Sequence, residues 1–222
     1  MNFTVILASY SVIIPIIAGL VRLGRLGKRY QPLFILLVVG LATELISTYL
    51  TQTKHSSNAG VTNTYALLEW LMIFWQFRAW GFFKTRKAIA WTVLLVPCMV
   101  WIAENLILRK MNDSSPYFQF SPYFRITYGA LIVLLSVNKI NFMITHDDRK
   151  LLGHPEFLIC IGFIIYFIYD IVYEWAYPSS STGETYITSK IISLFDYINA
   201  LTNIIFAIAF LRIPPPKKLT LW

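Results

Sequence analysis

The chain alternates apolar runs of membrane-crossing length with short links that collect most of its charge. A helix needs about 20 predominantly apolar residues to cross the hydrocarbon of a bilayer. Seven runs approach that length: 3–21, 32–51, 63–80, 88–108, 122–138, 156–177 and 186–212. The third carries Arg78 near its end, where a long side chain can snorkel to the interface. The seventh is long enough to tilt, and Pro214-Pro215-Pro216 ends it because proline cannot continue a helix. The pattern predicts an all-α integral membrane protein. Residues 1–222 form one domain, a seven-transmembrane-helix bundle.

The links give the bundle a direction. Fourteen of the 19 Lys and Arg residues fall after spans one, three and five and in the C-terminal tail. The other five, Lys54, Arg109, Lys110, Arg125 and Lys190, fall on the opposite side. The positive-inside rule then puts the N-terminus outside and the C-terminus in the cytoplasm, in a multi-pass cell-membrane protein. The net charge of +8 is thereby a topology signal facing anionic lipid, with no nucleic-acid partner implied. Composition agrees: 57% of residues are hydrophobic and 14% charged, against roughly 45–50% and 25% in soluble domains. Met1-Asn2-Phe3 has no basic residue, so span one is expected to be retained and not cleaved as a signal peptide. Cys98 and Cys160 lie in apolar runs and predict neither a disulfide framework nor a redox pair. Trp80, Trp175, Tyr177 and Tyr186, near span ends, are expected to form an interfacial aromatic belt.

Acids inside the spans carry the chemical information, because an ionisable group at membrane depth costs about 2.5–3.5 kcal/mol on insertion scales. Six occur away from the basic links: Glu44, Glu69, Glu104, Asp170, Glu174 and Asp196, all in the predicted outer halves of their spans, whereas Glu156 starts span six beside a cytoplasmic link. Glu104 and Glu174 lie close enough to the interface to serve as headgroup-facing or helix-joining groups. The other four are expected to line a cavity. Polar neighbours recur at helical spacing: Glu44, Ser47, Thr48 and Thr51; Tyr65, Glu69 and Gln76; Tyr166, Asp170, Tyr173, Glu174 and Tyr177; Ser189, Ser193, Asp196, Asn199 and Asn203. Lipid cannot hydrogen-bond such faces, so they turn inward. Spans two, three, six and seven should therefore meet around an outward-facing acidic cavity. Trp70, beside Glu69, and Trp75 lie deeper and are expected mainly in core packing.

An internal repeat is also expected. Glu44 and Glu69 are 25 residues apart, Asp170 and Asp196 are 26 apart. Spans two–three and six–seven would then be parallel copies in a three-plus-one-plus-three plan, with a site between repeats.

Several chemistries are disfavoured. A retinal Schiff base needs a lysine midway along span seven, and Lys190 lies near its outer end. His55, His146 and His154 all fall in links, against an intramembrane zinc hydrolase. Asp147 and Asp148 beside His146 read as a solvated cytoplasmic turn. No metal site or cofactor is expected. Two functions remain, with enzyme status open. The first is binding or transport of a small cationic or proton-coupled solute. Its ligand residues would be Glu44, Glu69, Asp170, Asp196, Asn199, Asn203, Tyr65, Trp70, Tyr166 and Tyr173, with Glu69 and Asp196 central. The second is an intramembrane enzyme in which Glu69 and Asp196 share acid–base work on a lipophilic substrate and aromatic faces steady a carbocation. In size, helix count and acid pairing the chain resembles the small membrane-bound terpene cyclases. A sensor or accessory subunit that docks a partner through its polar face is the third possibility.

Overall fold

The computed structural model describes residues 10–85, 87–108, 121–146, 151–180 and 186–215. The start of the first predicted span and Arg86, Arg109, Lys110, Asp113, Asp147, Asp148, Arg149, Lys150, Glu184, Pro216, Lys217 and Lys218 lie outside these residues. Among the described residues all regular structure is helical: α1 Ile13–Val21, α2 Leu23–Gln52, α3 Ala59–Ala79, α4 Lys87–Ile102, α5 Pro122–His146, α6 Pro155–Ser180 and α7 Tyr186–Leu211. A 3₁₀ turn, Tyr10–Val12, leads into α1, and α4 widens into a π-helical turn at Ala103–Leu108. Among the described residues five stretches are long and apolar enough to cross a membrane, lying in α2, α4 with its π turn, α5, α6 and α7.

Two expected spans are not among those five, each for a physical reason. The described part of the first, Tyr10–Val21, is apolar but short. The third, α3, is long, yet Asn63, Glu69 and Gln76 dilute its hydropathy, and all three are buried. A helix enclosed by protein need not be apolar all round.

Boundaries also move. The run predicted over 122–138 continues to His146 because Lys139 does not stop the helix. Lys139 lies inside α5, 8% exposed. Its ammonium sits 2.8 Å from Glu156 and 5.8 Å from the centroid of the Trp80 ring. Trp80 is buried and does not join the expected interfacial belt, Trp175 is 74% exposed, and the side chains of Tyr177 and Tyr186 lie outside the described residues. Glu156, expected beside a solvated link, is 3% exposed and also takes Arg29 at 2.5 Å. This Arg29–Glu156–Lys139 triad ties α2, α5 and α6 together at the end of the bundle that carries most of the described basic residues.

Two local devices shape that end. Within α2, Gly27 (φ 49°, ψ 175°) breaks the helix, and Pro32 lacks the N–H that the next turn needs. Gln76 of α3 compensates: its Nε2 donates to the Arg29 carbonyl at 2.6 Å, and its Oε1 accepts from the Leu33 N–H at 3.0 Å. The amide thus closes, in two steps, the link that an uninterrupted helix makes directly between residues four apart. After α3 the chain forms a Schellman turn. The Phe82 N–H bonds to the Phe77 carbonyl, the Gly81 N–H to that of Arg78, and Gly81 takes φ 79°. Phe82 packs edge-on against Phe77, 5.8 Å between centroids, which supplies the apolar contact of that motif.

Helices α5, α6 and α7 pack in sequence, α2 pairs with α3, α4 lies against α3 and α5, and α1 sits between α2 and α7. Contacts between α6 and α7 are close: a Cβ on Gly162 would lie 2.5 Å from Phe206 Cε1. Small residues allow such approach in lipid, where no hydrophobic drive joins apolar helices. The outward faces are themselves apolar, with Ile17, Leu20, Leu45, Leu95, Met99, Leu134 and Ile168 all exposed.

Candidate functional site

The α2–α3 pair and the α6–α7 pair face one another across a cavity of about 210 Å³, with Val12 at its edge. Its lining is graded. Thr43, Glu44, Ser47 and Thr62 lie at one end, and Leu33, Leu36, Leu37, Ile73, Phe163 and Phe206 at the other. Along α2 it runs from Leu33 to Ser47, about 21 Å at 1.5 Å per residue. At roughly 30 Å³ per molecule it holds about seven waters, so it suits a small solute.

Glu69 is the central acid. It is 7% exposed, lines the cavity, and accepts hydrogen bonds from Tyr128 at 2.6 Å and Tyr65 at 3.4 Å. Among the described residues no basic side chain reaches it within ion-pair distance. The Tyr65 hydroxyl lies against α2 at Gly40, where a Cβ would come within 3.1 Å of it. Gly40 thus makes room for the tyrosine that orients Glu69. Opposite, Asn203 donates to Ser11 at 2.8 Å and to Asn199 at 3.3 Å. Thr202, 2% exposed at the cavity, has no hydrogen-bond partner for its hydroxyl among the described residues.

Of the ten residues selected from sequence, Glu44, Glu69, Tyr65, Tyr166, Asn199 and Asn203 line this cavity. Asp170, Asp196, Trp70 and Tyr173 do not. Trp70 is fully buried on the far side of α3, its indole N–H 3.5 Å from the Leu94 carbonyl. Asp196 is half-buried on α7 away from the lining. Tyr173 packs with its ring tilted against Phe195, as do Tyr166 and Tyr169. Asp170, 1% exposed, faces α5, where Arg125 approaches to 3.7 Å. The four acids Glu44, Glu69, Asp170 and Asp196, with Glu69 and Asp196 central, were expected around one cavity; Glu44 and Glu69 line it, and Asp170 and Asp196 do not. The acidic face of α6 is wide enough to touch two neighbours, so its carboxylates turn to α5 and its tyrosines to α7.

The residues missed from sequence sit on α5. Arg125 bonds Glu174 at 2.9 Å, and Tyr128 delivers the shorter hydrogen bond to Glu69. Arg125 looked like an outer link charge, yet its side chain is 14% exposed. Glu104 also has a structural role, accepting from the Phe124 N–H at 2.9 Å at the N-terminus of α5. A carboxylate there satisfies an orphan donor and complements the helix dipole. Asn105, in the π turn, accepts from Ser121 at 3.1 Å and donates to the Trp101 carbonyl at 3.0 Å. Three acids and one guanidinium therefore share the region around α5 and α6: Arg125 is committed to Glu174 and Asp170, and Glu69 is left facing the cavity. Among the described residues no three His, Cys, Asp or Glu side chains gather as a metal-binding group. Comparison of the chain with protein families, with curated proteins and with solved structures returns no match.

Proposed function

We propose that this is a seven-crossing membrane protein, N-terminus outside, whose cavity binds a small cationic solute through Glu69, for uptake or for sensing. The observation that carries the reading is the placement of Glu69. It is a buried carboxylate steadied by two tyrosine hydroxyls, open to a cavity and out of reach of the nearest guanidinium. A carboxyl group in that setting is placed to meet an ammonium group or to exchange a proton, and Glu44 adds a second carboxyl group at the polar end. Asn199 and Thr202 supply neutral hydrogen bonds, and the apolar end accepts a hydrocarbon substituent. A small amine with a short apolar tail matches this gradient.

The reading is tested on purified protein with matched pairs of small alkylamines and their neutral isosteres, by calorimetry. Amines are expected to bind and neutral isosteres to bind at least tenfold more weakly. Glu69→Gln should weaken amine binding by about tenfold or more, the range for a hydrogen bond to a charged group. Equal binding of amine and isostere, or an unaffected Glu69→Gln, contradicts the reading. Orientation is tested in a Cys98→Ala/Cys160→Ala background. A cysteine at Ser57 should react with an impermeant maleimide on intact cells, and one at Gly153 only after permeabilisation. The reverse pattern overturns the topology.

The enzyme reading keeps one observation in its favour, the aromatic lining: Tyr166, Phe163, Phe167, Phe195 and Phe206 present ring faces or edges to the same space as Glu69. Such walls suit a carbocation as well as an ammonium ion.

A further inference from the structure

The geometry points to a second binding site, at the basic end, for one anionic phospholipid molecule. Two grooves flank the last turn of α3, and Arg78 and Lys84 line both. The first lies between α3 and α4. Its rim is Arg78, Lys84 and Lys87, and its walls are Phe74, Phe83, Trp91 and Leu94. Seven residues of helix separate Lys87 from Leu94, about 10 Å of depth at 1.5 Å per residue. One leaflet of hydrocarbon is about 15 Å deep. The groove therefore changes from charged to apolar over the distance at which a lipid passes from headgroup to acyl chain. The second groove, between α2 and α3, adds Lys28 and Arg29 around a space flanked by Trp75 and Trp80.

Charge complementarity selects an anion. Arg29 is paired with Glu156, but among the described residues no carboxylate pairs with Lys28, Arg78, Lys84 or Lys87. Four cations in this small region without acidic partners call for a counter-charge, and a phosphodiester supplies it in bidentate form to the arginine. The position of Lys84 is built and not incidental. The Schellman turn fixes Gly81 at φ 79°, and the Lys84 stem folds over it, with Cε 3.0 Å from where a Cβ would sit. Phe83, the next residue back, is held by Phe74, stacked at 5.2 Å, and by Phe82 at 5.1 Å. The same turn thus aims the ammonium at both grooves and lays the phenyl ring along the apolar wall. The occupant is a phospholipid with a net negative headgroup, its phosphate between Arg78 and Lys84 and one acyl chain along Phe74, Phe83 and Leu94.

Native mass spectrometry of the full chain, purified with phosphatidylglycerol and phosphatidylcholine in equal amounts, tests this site. The wild-type protein should retain one phosphatidylglycerol in preference to phosphatidylcholine. Arg78→Gln/Lys84→Gln should reduce retention about thirtyfold. A control with the same charge loss away from both grooves, Arg25→Gln/Arg212→Gln, should retain it. Ala90→Trp, which fills the groove between α3 and α4 and leaves every charge in place, should lose it. Four outcomes overturn the proposal: no preference between the lipids, equal loss in the control, retention in Ala90→Trp, or displacement of the lipid by millimolar glycerol phosphate. The last result would mean a soluble-phosphate site.

Discussion

Replacing Gln76 by Leu isolates the device that holds the broken start of α2. The leucine keeps the volume and the apolar surroundings of a fully buried side chain. It removes both hydrogen bonds that the amide makes to α2, leaving the Leu33 N–H and the Arg29 carbonyl without it. A buried polar group that loses its partner costs about 1–3 kcal/mol, so two give roughly 2–6 kcal/mol. Partial closure between Arg29 and Leu33 recovers about one hydrogen bond, roughly 1 kcal/mol, and the expected net loss is about 1–5 kcal/mol. Equilibrium unfolding in mixed micelles reads this as a shifted midpoint. The cause is checked by a cycle with Pro32→Ala. With alanine at position 32 an N–H becomes available to the Lys28 carbonyl and the turn after Gly27 can close on itself, so Gln76→Leu should cost less in that background by about 1 kcal/mol or more. A Gln76→Leu variant within 0.5 kcal/mol of wild type would refute the reasoning. An identical cost in both backgrounds would refute the role of Pro32.

Three further outcomes are expected. Arg125→Gln should destabilise the fold by about 3–5 kcal/mol, because Asp170 and Glu174 stay buried without their cation. Adding Asp170→Asn and Glu174→Gln to that variant should restore part of the loss in the same unfolding assay. Gly81→Ala should cost about 1–2 kcal/mol, since a Cβ is disfavoured at φ 79° and meets the Lys84 stem; an unshifted midpoint would contradict the Schellman assignment. Gly162→Leu should separate α6 from α7, seen as a longer distance between spin labels on the two helices, because the added side chain meets Phe206.

Much of the architecture is legible in the chain. Apolar runs locate most described helix ends within a few residues, but α2 begins nine residues before the expected 32 and α5 ends eight after the expected 138; helical spacing of polar residues identifies α2, α3, α6 and α7 as cavity walls. Helical period reports a face, however, and not the neighbour that the face meets. On α6 the same arc holds Asp170 and Glu174 toward α5 and Tyr166 and Tyr173 toward α7, so one sequence pattern serves two contacts. Arg125 resembles a link charge in sequence because position near a span end resembles exposure; only the fold shows α6 closing over it. Tyr128 carries no signal of its own, since a tyrosine in an apolar run reads as core until Glu69, 59 residues away, is placed beside it. Lys139 and Glu156 looked like the charged margins of a link, and their mutual neutralisation is what lets both be buried. Gln76 was legible as polar, but its role depends on the kink in a helix it does not belong to.

The account rests on Glu69 as the group that meets a cation. Infrared difference spectroscopy of reconstituted protein observes that carboxyl directly. Adding a small protonated amine should produce a carboxyl-region difference band in wild type. That band should vanish in Glu69→Gln and shift in Tyr128→Phe, which removes the 2.6 Å hydrogen bond. The same band in Glu69→Gln, or no band in wild type while calorimetry records amine binding, would place the cation elsewhere and contradict the account.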